Sequence, residues 1–150
     1  MEGRCLVVGN IVLERWDVAD RVTAARPLDL WVVLYTHQLH LPVARHLDEC
    51  DVTTFWTWKA EDLPKLESNF GQFDALAPKA RKVLGCYMWD YGTRTPMPLE
   101  LFQHQYRLGL RWLEERRIEG MIFLASCICD LGLETVEWLR AEIAAKGDTW

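Results

Sequence analysis

The chain reads as an α/β fold of repeated βα units, and three observations predict it. Apolar, β-branched-rich runs recur at Cys5 to Leu13, Leu30 to Tyr35, Val52 to Trp58, Lys82 to Trp89 and Gly120 to Cys129. These runs do not alternate polar with apolar residues, as strands buried on both faces of a parallel sheet do not. Helical stripes fill the intervals between them. Such alternation implies crossover connections and a parallel sheet with its helices outside.

Each element follows from its own residues. Cys5 to Leu13 opens the chain as a strand, and residues 15–26 hold a short helix. Leu30-Trp31-Val32-Val33-Leu34-Tyr35 is the second strand, followed by a short helix within residues 41–50. Val52-Thr53-Thr54-Phe55-Trp56-Thr57-Trp58 is the third strand, and Leu63, Leu66 and Phe70 form the stripe of the next helix. After the fourth strand, Pro96 and Pro98 open a helix whose apolar stripe is Leu99, Phe102, Tyr106, Leu110 and Leu113, with Arg116-Arg117 beyond its end. The last strand leads to a helix with Leu133, Val136, Leu139 or Arg140, and Ile143 on one face. Glu134 and Glu137 suit that helix's N-terminal dipole, and Lys146-Gly147 closes it.

Composition bounds the function classes. The 150 residues carry 17 Lys and Arg against 22 Asp and Glu, a formal charge of −5, and are 50% hydrophobic. That is the make-up of one folded domain over residues 1–150. The acidic balance argues against nucleic acid, whose phosphates need a basic face. Arg15, Arg21, Arg26, Arg116 and Arg117 are interspersed with acids. No apolar run approaches the roughly 20 residues of a membrane helix, and Met1-Glu2-Gly3-Arg4-Cys5 does not read as a signal peptide. Five irregularly spaced cysteines, mostly in apolar runs, read as reduced thiols of a cytoplasmic chain. Eight tryptophans imply a large aromatic core or a surface that stacks on rings.

Length narrows the architecture. A closed eight-unit TIM barrel needs about 200 residues. The chain therefore forms either a partial barrel, half to five-eighths of one, or an open five-stranded doubly wound parallel sheet. The first turn, Gly9-Asn10-Ile11-Val12-Leu13-Glu14-Arg15, has neither a GxGxxG nor a GxxxxGK[ST] pattern. The chain also has no GxSxG nucleophile elbow.

From Leu28 to Ile143 the pattern resembles the C-terminal part of a glycoside-hydrolase-like TIM barrel. The residues that carry the resemblance are Trp31 to His37, Thr54-Phe55-Trp56-Thr57-Trp58, Gly85-Cys86-Tyr87-Met88-Trp89-Asp90-Tyr91 and Glu119-Gly120-Met121-Ile122-Phe123. The resemblance is one of pattern and points to no specific family. It implies glycosidic-bond hydrolysis by carboxylates at strand carboxyl ends. It also makes Cys5 to Leu13 the fourth strand and leaves the first three unrepresented, so a truncated, inactive form belongs to the same expectation.

Ligands of parallel βα sheets sit beyond the carboxyl ends of the strands. Asp90 is the first catalytic candidate there: flanked by Trp89 and Tyr91, it is expected to have a raised pKa and to serve as nucleophile, base or oxocarbenium stabiliser. The alternative is an Asp that orders the loop Tyr91-Gly92-Thr93-Arg94, with Arg94 as its ion-pair partner. The resemblance makes Glu14 the second carboxylate, at the end of the fourth strand. Two departures from that pattern are that Leu13, not Asn, precedes Glu14, and that Asp replaces the usual Glu at position 90. A helix-starting Glu14 is the plainer reading.

Trp56 and Trp58, two apart on a strand, share a face, and with Trp89 they form a candidate sugar platform. Core packing is the competing use. Tyr91, His37 and Asp130 complete the candidate substrate-binding residues. His37, His40, Cys127, Cys129 and Asp130 raise the question of a metal, but Cys127-x-Cys129 lacks zinc-site spacing and the thiols suit the core. A mixed site of Asp90, Asp130 and His37 would make the chain a metal-dependent sugar isomerase or epimerase. The leading expectation has no metal and no cofactor. A third possibility is a non-catalytic half-barrel that binds carbohydrate or a partner. Its two open edges favour a homo-oligomer, in the simplest case a homodimer.

Overall fold

The computed structural model describes residues 29–124 and 130–147, together with the backbone of residues 5–7. Strand β1 is Cys5–Val7, β2 Asp29–Tyr35, β3 Val52–Trp56 and β4 Arg81–Tyr87. A short hairpin follows, with β5 at Trp89–Asp90 and β6 at Thr95–Pro96, and β7 is Gly120–Leu124. Helix α1 is Ala44–Leu47, α2 Leu66–Leu76, α3 Leu99–Glu114 and α4 Glu134–Lys146. Short 3₁₀ segments at Thr36–Gln38 and Ala60–Lys65 follow β2 and β3.

The principal sheet has five strands in the order β1-β2-β3-β4-β7, and every pairing is parallel. All five predicted runs therefore contribute strands to one sheet, and the strands lie side by side in the order in which the chain makes them. A doubly wound sheet requires the order to reverse at a switch point. No reversal exists among the described strands, so the sheet has the open, five-stranded parallel form of that alternative without its doubly wound order. Strands β1 and β7 are the two edges.

Register sorts the residues into two faces. Leu34, Phe55, Leu84 and Met121 are aligned across four strands and share one face. Helices cover it: Phe55 stacks on Phe73 of α2 at 4.7 Å, and Phe70 of the same helix stacks on Trp112 of α3 at 4.1 Å. On the opposite face Tyr35, Trp56, Gly85 and Ile122 are aligned. By the two-residue period Tyr87 points the same way as Gly85. Trp56 and Tyr87 are buried, while Trp31, Val33, Tyr35, Ile122 and Leu124 are half-buried.

Helix α3 packs along a slightly different line from the expected stripe. Its buried residues are Phe102, Gln105, Tyr106, Gly109 and Trp112, whereas Leu99, Leu110 and Leu113 are half-buried. Gly109 explains the rotation. A Cβ there would stand 2.3 Å from Met121 Cε and 3.1 Å from Leu84 Cδ2, so the bare backbone brings the helix down onto β4 and β7. On α4 the buried residues are Thr135, Val136 and Leu139, while Ile143 is 54% exposed. The predicted strand Lys82 to Trp89 ends two residues earlier. Met88 is instead bonded outward, its N–H donating to the Leu124 carbonyl and its carbonyl accepting from Met97 N–H, which turns residues 89–96 into the hairpin.

The helix expected at 15–26 and the distal parts of the first and last strands lie outside the described residues. Among the described residues, no helix is long and apolar enough to cross a membrane.

Candidate functional site

The carboxyl ends of β2 and β3 are cross-linked by side chains. Thr36, just after β2, donates its hydroxyl to the Trp56 carbonyl at 3.0 Å and lies 3.1 Å from Thr57 Oγ1. Gln38 turns back so that Tyr35 N–H donates to its Oε1 at 3.0 Å, closing the 3₁₀ turn that carries His37. Trp56 N–H donates to Thr54 Oγ1 at 2.8 Å, and the Thr54 hydroxyl donates to the Val32 carbonyl at 3.3 Å. The Thr36 and Thr54 hydroxyls and the Trp56 indole N–H thus find partners within the protein.

Above these ends lies a continuous cluster of rings. Tyr35 and His37 stack at 5.4 Å, and both meet Trp58 nearly perpendicularly, at 5.5 and 6.3 Å. Trp58 lies 4.8 Å from Tyr91 at a tilt of 32° and 6.2 Å from Tyr87. Tyr87 in turn touches Tyr91 at 4.7 Å and Trp56 at 4.6 Å. Trp58 is thus the hub, with Tyr35 and His37 from the end of β2 and Tyr87 and Tyr91 from the end of β4 against it. Burial, and then the hydrogen bond with Tyr35, push the Tyr87 hydroxyl well above the ordinary tyrosine range. It stays a neutral donor and acceptor. His37 is the exposed member, and Tyr35, Trp58 and Tyr91 are half-buried.

Asp90 stands beside this cluster in the hairpin. It is 4% exposed. One carboxylate oxygen accepts from Gly92 N–H at 2.8 Å and the other from the Thr93 hydroxyl at 2.7 Å. Arg94, in the left-handed region at φ 60°, donates its backbone N–H to the Asp90 carbonyl at 2.8 Å. Burial acts to raise the Asp90 pKa, but the Thr93 hydroxyl and the backbone N–H groups of Ala60, Gly92 and Thr93 outweigh it and hold the carboxyl below its ordinary value. The expected rise from the flanking aromatics is therefore corrected, because amide and hydroxyl donors stabilise the anion. Arg94 meets Asp90 through the main chain, and its guanidinium makes no ion pair with it among the described contacts.

The candidate residues separate as follows. His37, Trp56, Trp58 and Tyr91 are brought together through Tyr35 and Tyr87. Trp58 lies beyond the end of β3, so it shares the cluster with Trp56 through Tyr87 rather than through strand alternation. Trp89 pairs with Pro96 in the hairpin and is half-buried against the core. Asp130 is exposed in the turn before α4, and none of these ring contacts reaches it. Glu14, Cys127 and Cys129 lie outside the described residues. Among the described residues no three His, Cys, Asp or Glu side chains converge as a metal site needs, so Asp90, Asp130 and His37 do not assemble one. Tyr35 and Tyr87 are not among the candidate site residues that the sequence offers, whereas Thr36 is, as a polar residue at the carboxyl end of the second strand. The signal for the two tyrosines is parity with the paired strands, which becomes visible only once the register is known.

No known family, curated protein or solved structure matches this chain.

Proposed function

We propose that this chain is part of a βα barrel of the glycoside-hydrolase-like kind, half to five-eighths of one, that binds a carbohydrate at the carboxyl ends of its strands. The observation that carries this reading is the ring cluster of Tyr35, His37, Trp58, Tyr87 and Tyr91, assembled from three successive strand ends. Pyranose rings present an apolar C–H face that packs on such rings, while the exposed His37 imidazole and the Tyr35 hydroxyl supply polar contacts to sugar hydroxyls. The strictly sequential strand order supports the barrel, because uniform right-handed crossovers put every helix on one face and leave the other as an interior.

Binding is favoured over turnover. Glycoside hydrolysis uses two carboxylates about 5 to 9.5 Å apart with access to the sugar. Both Asp90 oxygens are engaged by protein donors and the side chain is buried. Hydrolysis with Asp90 and Glu14 as the carboxylate pair is the second reading. It is favoured by one observation, that Asp90 is held ionised at a strand end. Unchanged turnover in Asp90→Asn would dismiss it.

The test of the first reading is calorimetric titration with cello-, xylo-, manno- and chito-hexasaccharides. At least one is expected to bind the wild type and to bind Trp58→Ala about tenfold or more weakly, the value of one lost stacking contact. No heat from any of them at millimolar concentration would overturn the proposal.

A further inference from the structure

The helix-covered side of the sheet keeps an unfilled space near its β7 edge. Helices α3 and α4 meet there through aromatic rings, with Trp138 nearly perpendicular to Phe102 at 6.0 Å and to Tyr106 at 5.1 Å. Further along the same two helices a cavity of about 180 Å³ opens between them and β7. Buried Tyr106 and Leu139 line it together with half-buried Leu113, Met121 and Phe123. Ile143, 54% exposed, stands at its mouth. Glu142 and Lys146 belong to the same lining and pair with each other at 2.6 Å.

We infer that this cavity binds a small neutral molecule, a single aromatic ring or a short alkyl chain carrying one hydroxyl. Size sets the first limit. An apolar cavity of about 150 Å³ admits a benzene ring, so this one has room for a ring and a substituent. The lining sets the second. Leucine, methionine, phenylalanine and isoleucine side chains give water few partners, so a ligand that displaces water from them gains apolar burial. Charge sets the third. Glu142 and Lys146 neutralise each other one helical turn apart, so an ionic ligand would shed hydration without meeting an uncompensated opposite charge. A ligand hydroxyl can still donate to the carboxylate or accept from the ammonium. Met121 and Phe123 reach the cavity from the helix-covered face of β7, opposite the ring cluster around Trp58. The inference is therefore independent of whether that cluster binds carbohydrate.

The probe is p-cresol, compared with benzoate and benzylamine, which keep the ring but are charged at neutral pH. Binding is read from the methyl NMR signals of Met121 and Ile143, assigned by Met121→Leu and Ile143→Val. The Met121 methyl is a defined reporter, because it lies where a Cβ on Gly109 would stand 2.3 Å away. p-Cresol is expected to move both signals in a saturable manner, with a Kd of about 0.1 to 1 mM for so small a ligand. Benzoate and benzylamine are expected to bind at least about tenfold more weakly. Ile143→Trp fills the mouth from an exposed position and is expected to weaken p-cresol binding about tenfold or more. Should that variant fail to fold, Gly147→Trp carries the same test, since a Cβ there meets only Ile143 Cγ2, at 3.4 Å.

Methyl signals that stay fixed at millimolar p-cresol would overturn the inference. So would wild-type affinity in the filled variant, or charged rings that bind as tightly as p-cresol. Light scattering coupled to size exclusion addresses the other occupant of an apolar mouth, a second copy of this chain. A wild-type dimer that Ile143→Asp converts to monomer would show that a second copy covers the cavity, and would overturn the small-molecule assignment.

Discussion

Gly85 lies directly beneath the indole of Trp56: a Cβ at position 85 would stand 1.9 Å from Cδ2 and 2.1 Å from Cε2 of that ring. The two residues are paired across β3 and β4, so the missing side chain on one strand makes room for the largest side chain on the next. This is how Trp56 lies flat on the sheet, reaches Tyr87 and donates to Thr54.

Gly85→Ala should therefore displace Trp56 and break its bond to Thr54. The ring is held between two strands and has nowhere to swing without disturbing Tyr87. The expected loss is about 1 to 3 kcal/mol of stability, as for overpacking in a core. Urea unfolding checks it, and a midpoint equal to wild type would contradict the contact.

The buried, hydrogen-bonded carboxylate of Asp90 makes stability depend on acid. Its folded pKa lies below the ordinary value of 3.8, so its contribution is fully present above pH 3.8 and is lost as pH falls through the lower folded pKa. Wild type should exceed Asp90→Asn in melting temperature at neutral pH, with the gap closing below pH 3.8. A gap that stays constant down to the acid limit would show that the charge of Asp90 is not what matters.

Helices α2 and α3 are joined by a different device. The Arg117 guanidinium lies 5.0 Å from the Phe70 ring centre and 5.1 Å from that of Trp112, and it pairs with Glu67 at 2.7 Å. Glu67 also pairs with Arg111 and accepts from Trp112 N–H at 3.2 Å. Arg117→Lys should lose on the order of 1 kcal/mol, since an ammonium keeps the charge but not the planar stack. Because the ion pair is largely exposed, most of that loss should persist at high salt. Denaturation with and without 1 M sodium chloride separates stacking from ion pairing.

Cys86 is fully buried beneath the helices, and burial pushes its thiol far above the ordinary range. Alkylation at neutral pH should leave Cys86 unmodified in the native protein and modify it on unfolding, as peptide mass mapping would show. Native labelling of Cys86 would mean that the helical layer opens readily.

The fold was legible in the sequence because parallel strands announce themselves. Leu30 to Tyr35, Val52 to Trp58, Lys82 to Trp89 and Gly120 to Cys129 read as apolar runs without alternation, and β2, β3, β4 and β7 fall on them. The 89–96 hairpin was not legible as such, since Trp89-Asp90 continues the apolar run and the bend comes from main-chain bonds of Met88. At the site, Trp56, Trp58, Tyr91 and His37 could be placed near one another from strand ends alone. The role of Asp90 could not be decided that way. Its flanking aromatics suggested desolvation, whereas the donors that outweigh it are amides and a hydroxyl whose directions depend on the turn. The α3 stripe was displaced for a related reason: Gly109 packs by having no side chain, which a hydrophobic pattern does not register.

The central claim, that sugar binds where the three strand ends converge, is tested most directly by nuclear magnetic resonance of the indole N–H groups. Wild-type protein would be titrated with the four hexasaccharides, the signals being assigned by single Trp→Phe variants. The account predicts that the Trp58 resonance shifts in a saturable manner while that of Trp112, buried between helices on the opposite face of the sheet, stays fixed. Indole resonances that do not move for any sugar, or a shift at Trp112 with none at Trp58, would contradict it.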